Sequence, residues 1–317
     1  MDAAQLRWIA EATSAQRARK GERIQSLWSG YGEIFRVHLI GAATESVIVK
    51  WVAPPADARA DAVSHRRKVR SYHVETAWYR TRAGQCDEAC RVPRLMAAQV
   101  TGDRWLLVLE DLDAAGFAER RRSPKAPEID ACLAWLAAFH GRFLGAAPEG
   151  LWKVGTYWHL ATRPDELAVI ADAALREAAP ALDRQLRGAT FQTTVHGDAK
   201  PANFCFARGG RAVAAVDFQY VGGGCGIKDV AYLLASPDRH DAAAEQRHLD
   251  GYFAQLRAAV AARDPSVDVE ALEREWRALY PIACADYYRF LAGWAPVHWR
   301  SESHGQRVVR EVLRTLA

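Results

Sequence analysis

The sequence predicts an α+β protein of two lobes, a small strand-rich one at the N-terminus and a larger helical one after it. Three observations carry this. At 317 residues the chain is longer than a single hydrophobic core ordinarily serves. β-branched runs crowd its first third, whereas apolar residues at helical spacing fill its second half. A charged stretch follows Leu112, so the lobes are placed at 1–112 and 113–317.

In chain order, residues 1–20 have the polar and apolar spacing of an amphipathic helix. Extended segments are expected over 33–40 and 46–52, separated by Gly41, and a loop over 53–61 with Pro54 and Pro55. The pattern turns helical from 63 to about 82, and RWLLVL at 104–109 reads as a short buried strand. Residues 113–127, with Arg120, Arg121 and Arg122, form a solvated loop. Helices are expected over 128–144, 164–187, 241–262, 269–293 and 306–316, with one hairpin among them at about 204–217. A cleft between two such lobes is where small-molecule sites commonly lie.

Composition removes several classes of function. The formal net charge of +4 is small and interspersed, which argues against a nucleic-acid partner. No apolar run reaches the roughly 18–20 residues that span a bilayer, and the charged N-terminus has no signal-peptide pattern. A cytoplasmic protein with no membrane insertion is expected. Of the six cysteines only Cys86 and Cys90 lie close in sequence, with no second pair to complete a zinc pattern, so all six are read as reduced thiols.

The chemistry concentrates in His196-Gly197-Asp198-Ala199-Lys200-Pro201-Ala202-Asn203, followed by Asp217-Phe218-Gln219. Gly209 and Gly210 supply a tight hairpin turn between the two stretches. Strands pairing symmetrically about that turn bring Asn203 nearly opposite Asp217. A carboxylate and an amide oxygen at one hairpin end, with a second acid a few residues upstream, suit a hard divalent cation that keeps open positions for water and phosphate. Mg²⁺ held this way serves phosphoryl transfer. Asp198, outside the metal pair, is placed to accept a hydrogen bond from an attacking hydroxyl. Lys50 interrupts the apolar run SVIVK, and Glu75, 25 positions on in a helical segment, could hold its ammonium against phosphate oxygens. Gly30 and Gly32, in Ser29-Gly30-Tyr31-Gly32, could bring backbone N–H groups near phosphates; Phe35 stands where a third glycine would be.

These residues resemble the protein-kinase-like superfamily of small-molecule kinases, which includes aminoglycoside phosphotransferases and choline kinases. HGDAKPAN with DFQ, SYHVETAWY (71–79) and LVLEDL (107–112) are most similar to its ecdysteroid-kinase-like group. The likeness runs from about Gly30 to Leu234. It implies a bilobal kinase-like fold that uses ATP and Mg²⁺, with the adenine edge meeting the backbone of Glu110, Asp111 and Leu112. By position Asp198 resembles the catalytic base, Asn203 and Asp217 the Mg²⁺ ligands, and Lys50 with Glu75 the phosphate-anchoring pair. Asp229, with His196, resembles the support of the catalytic loop; read alone, Asp229 is a helix N-cap. His140 resembles a recurrent helix histidine.

The acceptor is expected to be a small-molecule alcohol, since the short step from Asp217 to Lys228 leaves no room for a peptide-docking segment. Trp158, Tyr287, Tyr288 and Trp294 are the candidate acceptor-pocket residues, with Trp152 and Tyr157 nearby in sequence. Aromatic rings suit a flat, steroid-like alcohol or, through cation–π attraction, a choline-like amino alcohol. The basic C-terminal end makes an aminoglycoside or other antibiotic the less favoured acceptor. A catalytically dead nucleotide-binding scaffold is the non-enzyme alternative, and no base or metal ligand of the motif is missing to support it.

Overall fold

The computed structural model describes residues 1–55, 62–235 and 241–316. It is a mixed α+β protein with a five-stranded antiparallel sheet near the N-terminus and a larger helical part beyond it. The chain forms two compact units. One comprises Met1–Arg120 with Cys205–Val216, the other Arg121–Phe204 and everything from Asp217 onward. This grouping differs from a single cut at 112: the charged segment and a distant hairpin pack with the N-terminal residues.

In the first unit, α1 (Ala3–Ala12) is closed at its start by a capping box of Asp2 and Gln5. It is shorter than the 1–20 expected, because Arg17–Ser26 is a strand, β1. Its run of charges hides the strand from a periodicity reading. As the sheet's outer strand, with two irregularities in its register, it gains from those charges, which discourage edge pairing with other chains. β2 (Gly32–Ile40), β3 (Ser46–Val52), β4 (Leu95–Thr101) and β5 (Arg104–Glu110) complete the order β1-β2-β3-β5-β4. β4, rich in alanine, is a second strand that the pattern does not announce. On one face Phe35, Val37, Val47, Val49 and Val108 pack with Ile9 of α1. Alternation sends Ser46, Ile48, Lys50 and Val52 to the other face. There Val52 packs with Tyr72 of α2 (Val63–Thr81), and Lys50 meets the same helix. Of the expected 53–61 loop, residues 56–61 lie outside the described residues.

The second unit is built on helices. α3 (Ala126–Arg142) packs along α7 (Ala242–Arg263). Between them in sequence come α4 (Pro164–Ala168), α5 (Ala173–Arg187) and α6 (Ile227–Leu234). The single helix expected over 164–187 is thus two, separated at Val169–Asp172. The 26-residue α8 (Val269–Trp294) is the central element and touches every other helix of the unit from α4 to α10, where α9 is Pro296–Ser301 and α10 is Ser303–Leu316. Three-residue strands β6 (Thr193–Val195) and β9 (Gly222–Gly224) pair antiparallel. β7 (Phe204–Phe206) and β8 (Val213–Ala215) make the predicted hairpin, whose Cys205 and Ala214 bury against Leu112 within the first unit. Among the described residues no helix is long and apolar enough to cross a membrane.

Candidate active site

The loop that leaves β6 carries His196, Gly197 and Asp198, and one buried carboxylate fixes it. Asp229, in the first turn of α6, accepts hydrogen bonds from the His196 N–H (2.6 Å) and the Gly197 N–H (2.9 Å). His140 of α3 reaches the same carboxylate at 3.1 Å through Nε2, and its Nδ1 lies 2.8 Å from the Tyr252 hydroxyl. All three groups are fully buried. The N-cap position of α6 belongs to Gly226, so Asp229 does not cap the helix; it spends both oxygens on the loop and the histidine. His196 Nδ1 accepts the Asp198 N–H at 3.2 Å, and its ring packs on Phe218. Gly197 is required as glycine. Its φ is +81°, and a Cβ there would lie 2.1 Å from the Tyr220 carbonyl oxygen.

Asp198 is buried, and its carboxylate is only half satisfied. Oδ2 accepts from Lys200 Nζ and from Asn203 Nδ2, each at 2.9 Å. Oδ1, also buried, has no hydrogen-bond partner among the described residues. Burial pushes the Asp198 carboxyl above the ordinary aspartate range; the Lys200 ammonium opposes that, and the Asp217 charge adds to it. Asn203 Nδ2 also donates to the Asp198 carbonyl at 2.8 Å. Both of its partners are acceptors, so the amide nitrogen must face Asp198 and the amide oxygen faces away. Asp217, the other candidate metal ligand, has a φ of +68°, a left-handed conformation uncommon for a side-chain-bearing residue.

A divalent cation fits this donor set. Among the described residues no group of three or more His, Cys, Asp or Glu side chains is arranged to hold a metal ion by itself. A cation here would rest on the Asn203 amide oxygen, the Asp217 carboxylate and oxygens brought by phosphate and water. Mg²⁺ is ordinarily held in that way, through one or two protein oxygens rather than a full cage.

In the first unit, Lys50 Nζ lies 2.9 Å from Glu75 Oε1 and 2.7 Å from Oε2, with both side chains buried. The sequence-predicted pair is therefore formed. Gly30 has a φ of +72° and open space around the missing Cβ; Gly32 has none, since a Cβ would strike the Trp51 carbonyl oxygen at 2.0 Å. The side chains of the 110–112 segment are committed elsewhere. Glu110 accepts from Arg91 (2.6 Å) and the Arg94 N–H (3.0 Å), while Asp111 binds Arg36 (2.6 Å) and Ser46 Oγ (2.7 Å). Leu112 buries its side chain and gives its carbonyl to the Phe117 N–H at 2.8 Å, and its own N–H makes no hydrogen bond among the described residues.

The four candidate acceptor residues separate. Tyr287, half-buried on α8, feels the Asp198 charge; burial first, then that charge, pushes its hydroxyl up to about 12. Trp158 is fully buried, donates through Nε1 to Asp286 (3.1 Å) and backs Tyr232 and Tyr287 at centroid distances of 4.8 and 5.6 Å. Tyr288 instead packs on Trp299, and Trp294 lies exposed against Phe290. Tyr157, already in the aromatic group named from sequence, and Tyr232, which is not, are both half-buried, and their hydroxyls are raised by burial and then by Asp198. Tyr232 was readable in principle, one helical turn after Asp229 on the same face. Lys200 is another residue unassigned from sequence, although it stands inside the motif itself. Arg163 already lies over the Tyr157 ring at 4.9 Å and over Phe290 at 5.3 Å.

Comparison with known proteins follows this geometry. A model of the phosphotransferase enzyme family matches residues 32–265. Among solved structures the chain is similar to choline kinase from Cryptosporidium parvum Iowa II, with a TM-score of 0.63 and 10% identity over 99% of this chain and 97% of that one. It is also similar to a Plasmodium vivax ethanolamine kinase, with a TM-score of 0.54 and 12% identity over 93% of this chain and 84% of that one. At such identities the likeness is one of fold. No curated protein sequence matches.

Proposed function

The chain belongs to the phosphotransferase enzyme family, and on that premise we propose that it is an ATP- and Mg²⁺-dependent kinase whose acceptor is a small lipophilic alcohol, flat and steroid-like in shape. The observation that carries the reading is Asp198: a buried carboxylate with one oxygen committed to Lys200 and Asn203 and the other left without a partner among the described residues. An acid so placed is suited to accept the proton of a hydroxyl and hold its oxygen toward phosphorus. Lys200, ion-paired to the same carboxylate, keeps Asp198 oriented and places a positive charge beside the reacting group. Asn203 and Asp217 are the proposed Mg²⁺ ligands, and Lys50, steadied by Glu75, anchors phosphate oxygens. The Leu112 N–H, unused among the described residues, is the donor we assign to the adenine edge. Mg²⁺, when bound, neutralises charge on the transferring phosphoryl group.

The acceptor side is assigned to Tyr157, Tyr232 and Tyr287, whose rings meet one another (centroids 6.3 Å for Tyr157–Tyr232 and 4.8 Å for Tyr232–Tyr287) and whose hydroxyls all feel the Asp198 charge. A choline-like amino alcohol is the second reading, because tyrosine rings attract quaternary ammonium groups. Arg163 favours the neutral alcohol: a guanidinium already lies over Tyr157, and a ligand cation beside it would meet like charge. The finer likeness to the ecdysteroid-kinase-like group rests on the residue stretches 71–79 and 107–112 and points the same way.

The test is mass spectrometry of an alcohol panel (sterols, choline and ethanolamine, aminoglycosides, macrolides, sugars) incubated with the protein, ATP and Mg²⁺, with Asp198→Ala as control. A mass gain of one phosphoryl group on a sterol, absent from the control, is expected. Phosphorylated choline would replace the lipophilic reading with the cationic one. ATP that fails to bind would remove the kinase reading altogether.

A further inference from the structure

Thr156 combines two unfavourable features at one residue beside the base. Its φ is +101°, a region that a β-branched side chain almost never occupies. Its side chain is buried, yet Oγ1 has no hydrogen-bond partner among the described residues. The backbone around it is pinned on every side. The Thr156 N–H donates to the Tyr220 carbonyl (3.2 Å), its carbonyl accepts the His159 N–H (3.3 Å), and the Tyr157 N–H donates to the Gly197 carbonyl (2.9 Å). Gly197 packs so closely that a Cβ there would lie 2.8 Å from the Thr156 nitrogen. Thr156 therefore backs directly onto the residue that precedes Asp198. The surrounding bonds impose the left-handed backbone, and glycine or asparagine would meet it at less cost. Threonine costs the fold backbone strain at this position. What it does add is a hydroxyl.

Two polar atoms without partners among the described residues thus belong to residues that meet at one loop, Thr156 Oγ1 and Asp198 Oδ1, and they are chemically complementary. The carboxylate only accepts, whereas the threonine hydroxyl can donate. A ligand hydroxyl has one proton to give and lone pairs to receive, so it satisfies both. We propose that Thr156 binds the acceptor's reacting hydroxyl, donating from Oγ1 to the oxygen whose own proton faces Asp198 Oδ1. This rests on the kinase reading above and extends its acceptor side. The hydrogen bond occupies one lone pair of the acceptor oxygen and leaves the other aimed at phosphorus. As the new oxygen–phosphorus bond forms, the bond from the γ-phosphorus to ADP breaks and the hydroxyl proton passes to Asp198, so atoms and charge balance.

The experiment uses water as the probe nucleophile: phosphate release from ATP in Mg²⁺ buffer without added alcohol, for the full-length protein and for Thr156→Val, Thr156→Ser and Thr156→Gly. Thermal midpoints are recorded alongside. Thr156→Val keeps the shape and loses the donor; its kcat should fall about tenfold with the KM for ATP unchanged, the size expected for one oriented hydrogen bond. Thr156→Ser should stay within about twofold of the parent, since it keeps the donor. Thr156→Gly should lose turnover like the valine variant while its midpoint rises, because the strain and the unpartnered hydroxyl both disappear. A valine variant with parental kcat would overturn the proposal, as would a glycine variant whose midpoint falls. A parent that fails to bind ATP would remove the kinase reading and the proposal with it, whereas a valine variant with parental kcat removes the proposal alone.

Discussion

The two charged centres of this protein are built in opposite ways. Lys50 and Glu75 form a closed pair: each side chain is buried, each meets the other at less than 3 Å, and regular elements, β3 and α2, present both. The Asp198 centre is open. It lies on a loop, leaves Oδ1 of Asp198 and Oγ1 of Thr156 without partners among the described residues, and holds Asp217 and Thr156 at positive φ. The contrast teaches where strain is useful. The proposed phosphate anchor needs only a fixed charge, which a buried ion pair provides. The centre proposed to take up a hydroxyl keeps unfilled hydrogen-bonding capacity, and its neighbours hold it in place. In this chain Asp229, His140 and Tyr252 do the holding.

The comparison can be broken first at its open side. Asp217→Asn keeps the side-chain shape but removes the charge proposed to bind Mg²⁺. Turnover should drop by about a thousandfold, with the remainder shifted to higher Mg²⁺, in an ADP-release assay titrated with the metal. Asp229→Ala leaves two loop N–H groups and His140 without their acceptor, and should lower unfolding free energy by about 3 kcal/mol in urea titrations. On the closed side, Lys50→Ala should cost tens-fold, on the order of a lost charge-assisted hydrogen bond, in kcat/KM for ATP. It also leaves Glu75 buried without its cation, so thermal unfolding must be measured with it.

The smallest effect lies at a side chain to which neither centre assigns a role, His159. Burial and then the nearby Lys228 push its imidazole down to about 4, although Asp183 and Asp286 pull the other way. The folded value is below the ordinary one, so the unfolded chain binds the extra proton first. The stability this ring contributes is present above about pH 6.5 and is lost as pH falls toward about 4, with no further change below. The loss should be on the order of 1–2 kcal/mol for a ring that solvent still reaches. Urea midpoints at pH 7 and 4.5 should differ more for the parent than for His159→Gln; equal differences would exclude His159 as the source.

Much of this was legible because the informative residues are local in sequence. HGDAKPAN and DFQ announce the loop and hairpin. SVIVK interrupts an apolar strand with one lysine, and alternation alone sends that lysine to the face opposite Val47 and Val49. The misses have physical causes. β1 carries charge where strands usually carry apolar residues, because it is an edge. β4 has alanines too small to give a pattern. Among the candidate acceptor residues, aromatic spacing on α8 could not tell Tyr287, whose hydroxyl feels the Asp198 charge, from Tyr288, which packs on Trp299. Tyr157 and Tyr232 join Tyr287 only through long-range packing around Trp158. Thr156 was invisible, since a positive φ on threonine is imposed by its neighbours and not by its own preference.

The central claim is that the half-satisfied carboxylate of Asp198 accepts the proton of the attacking hydroxyl. The most direct measurement is single-turnover ADP formation by Asp198→Asn beside the parent, with ATP and Mg²⁺ binding measured on both by calorimetry. Asparagine keeps the size and the contacts of the side chain but cannot take the proton. The account predicts nucleotide binding within a few-fold of the parent and a chemical step slower by about a thousandfold. An Asp198→Asn protein that turns over at the parental rate would contradict it.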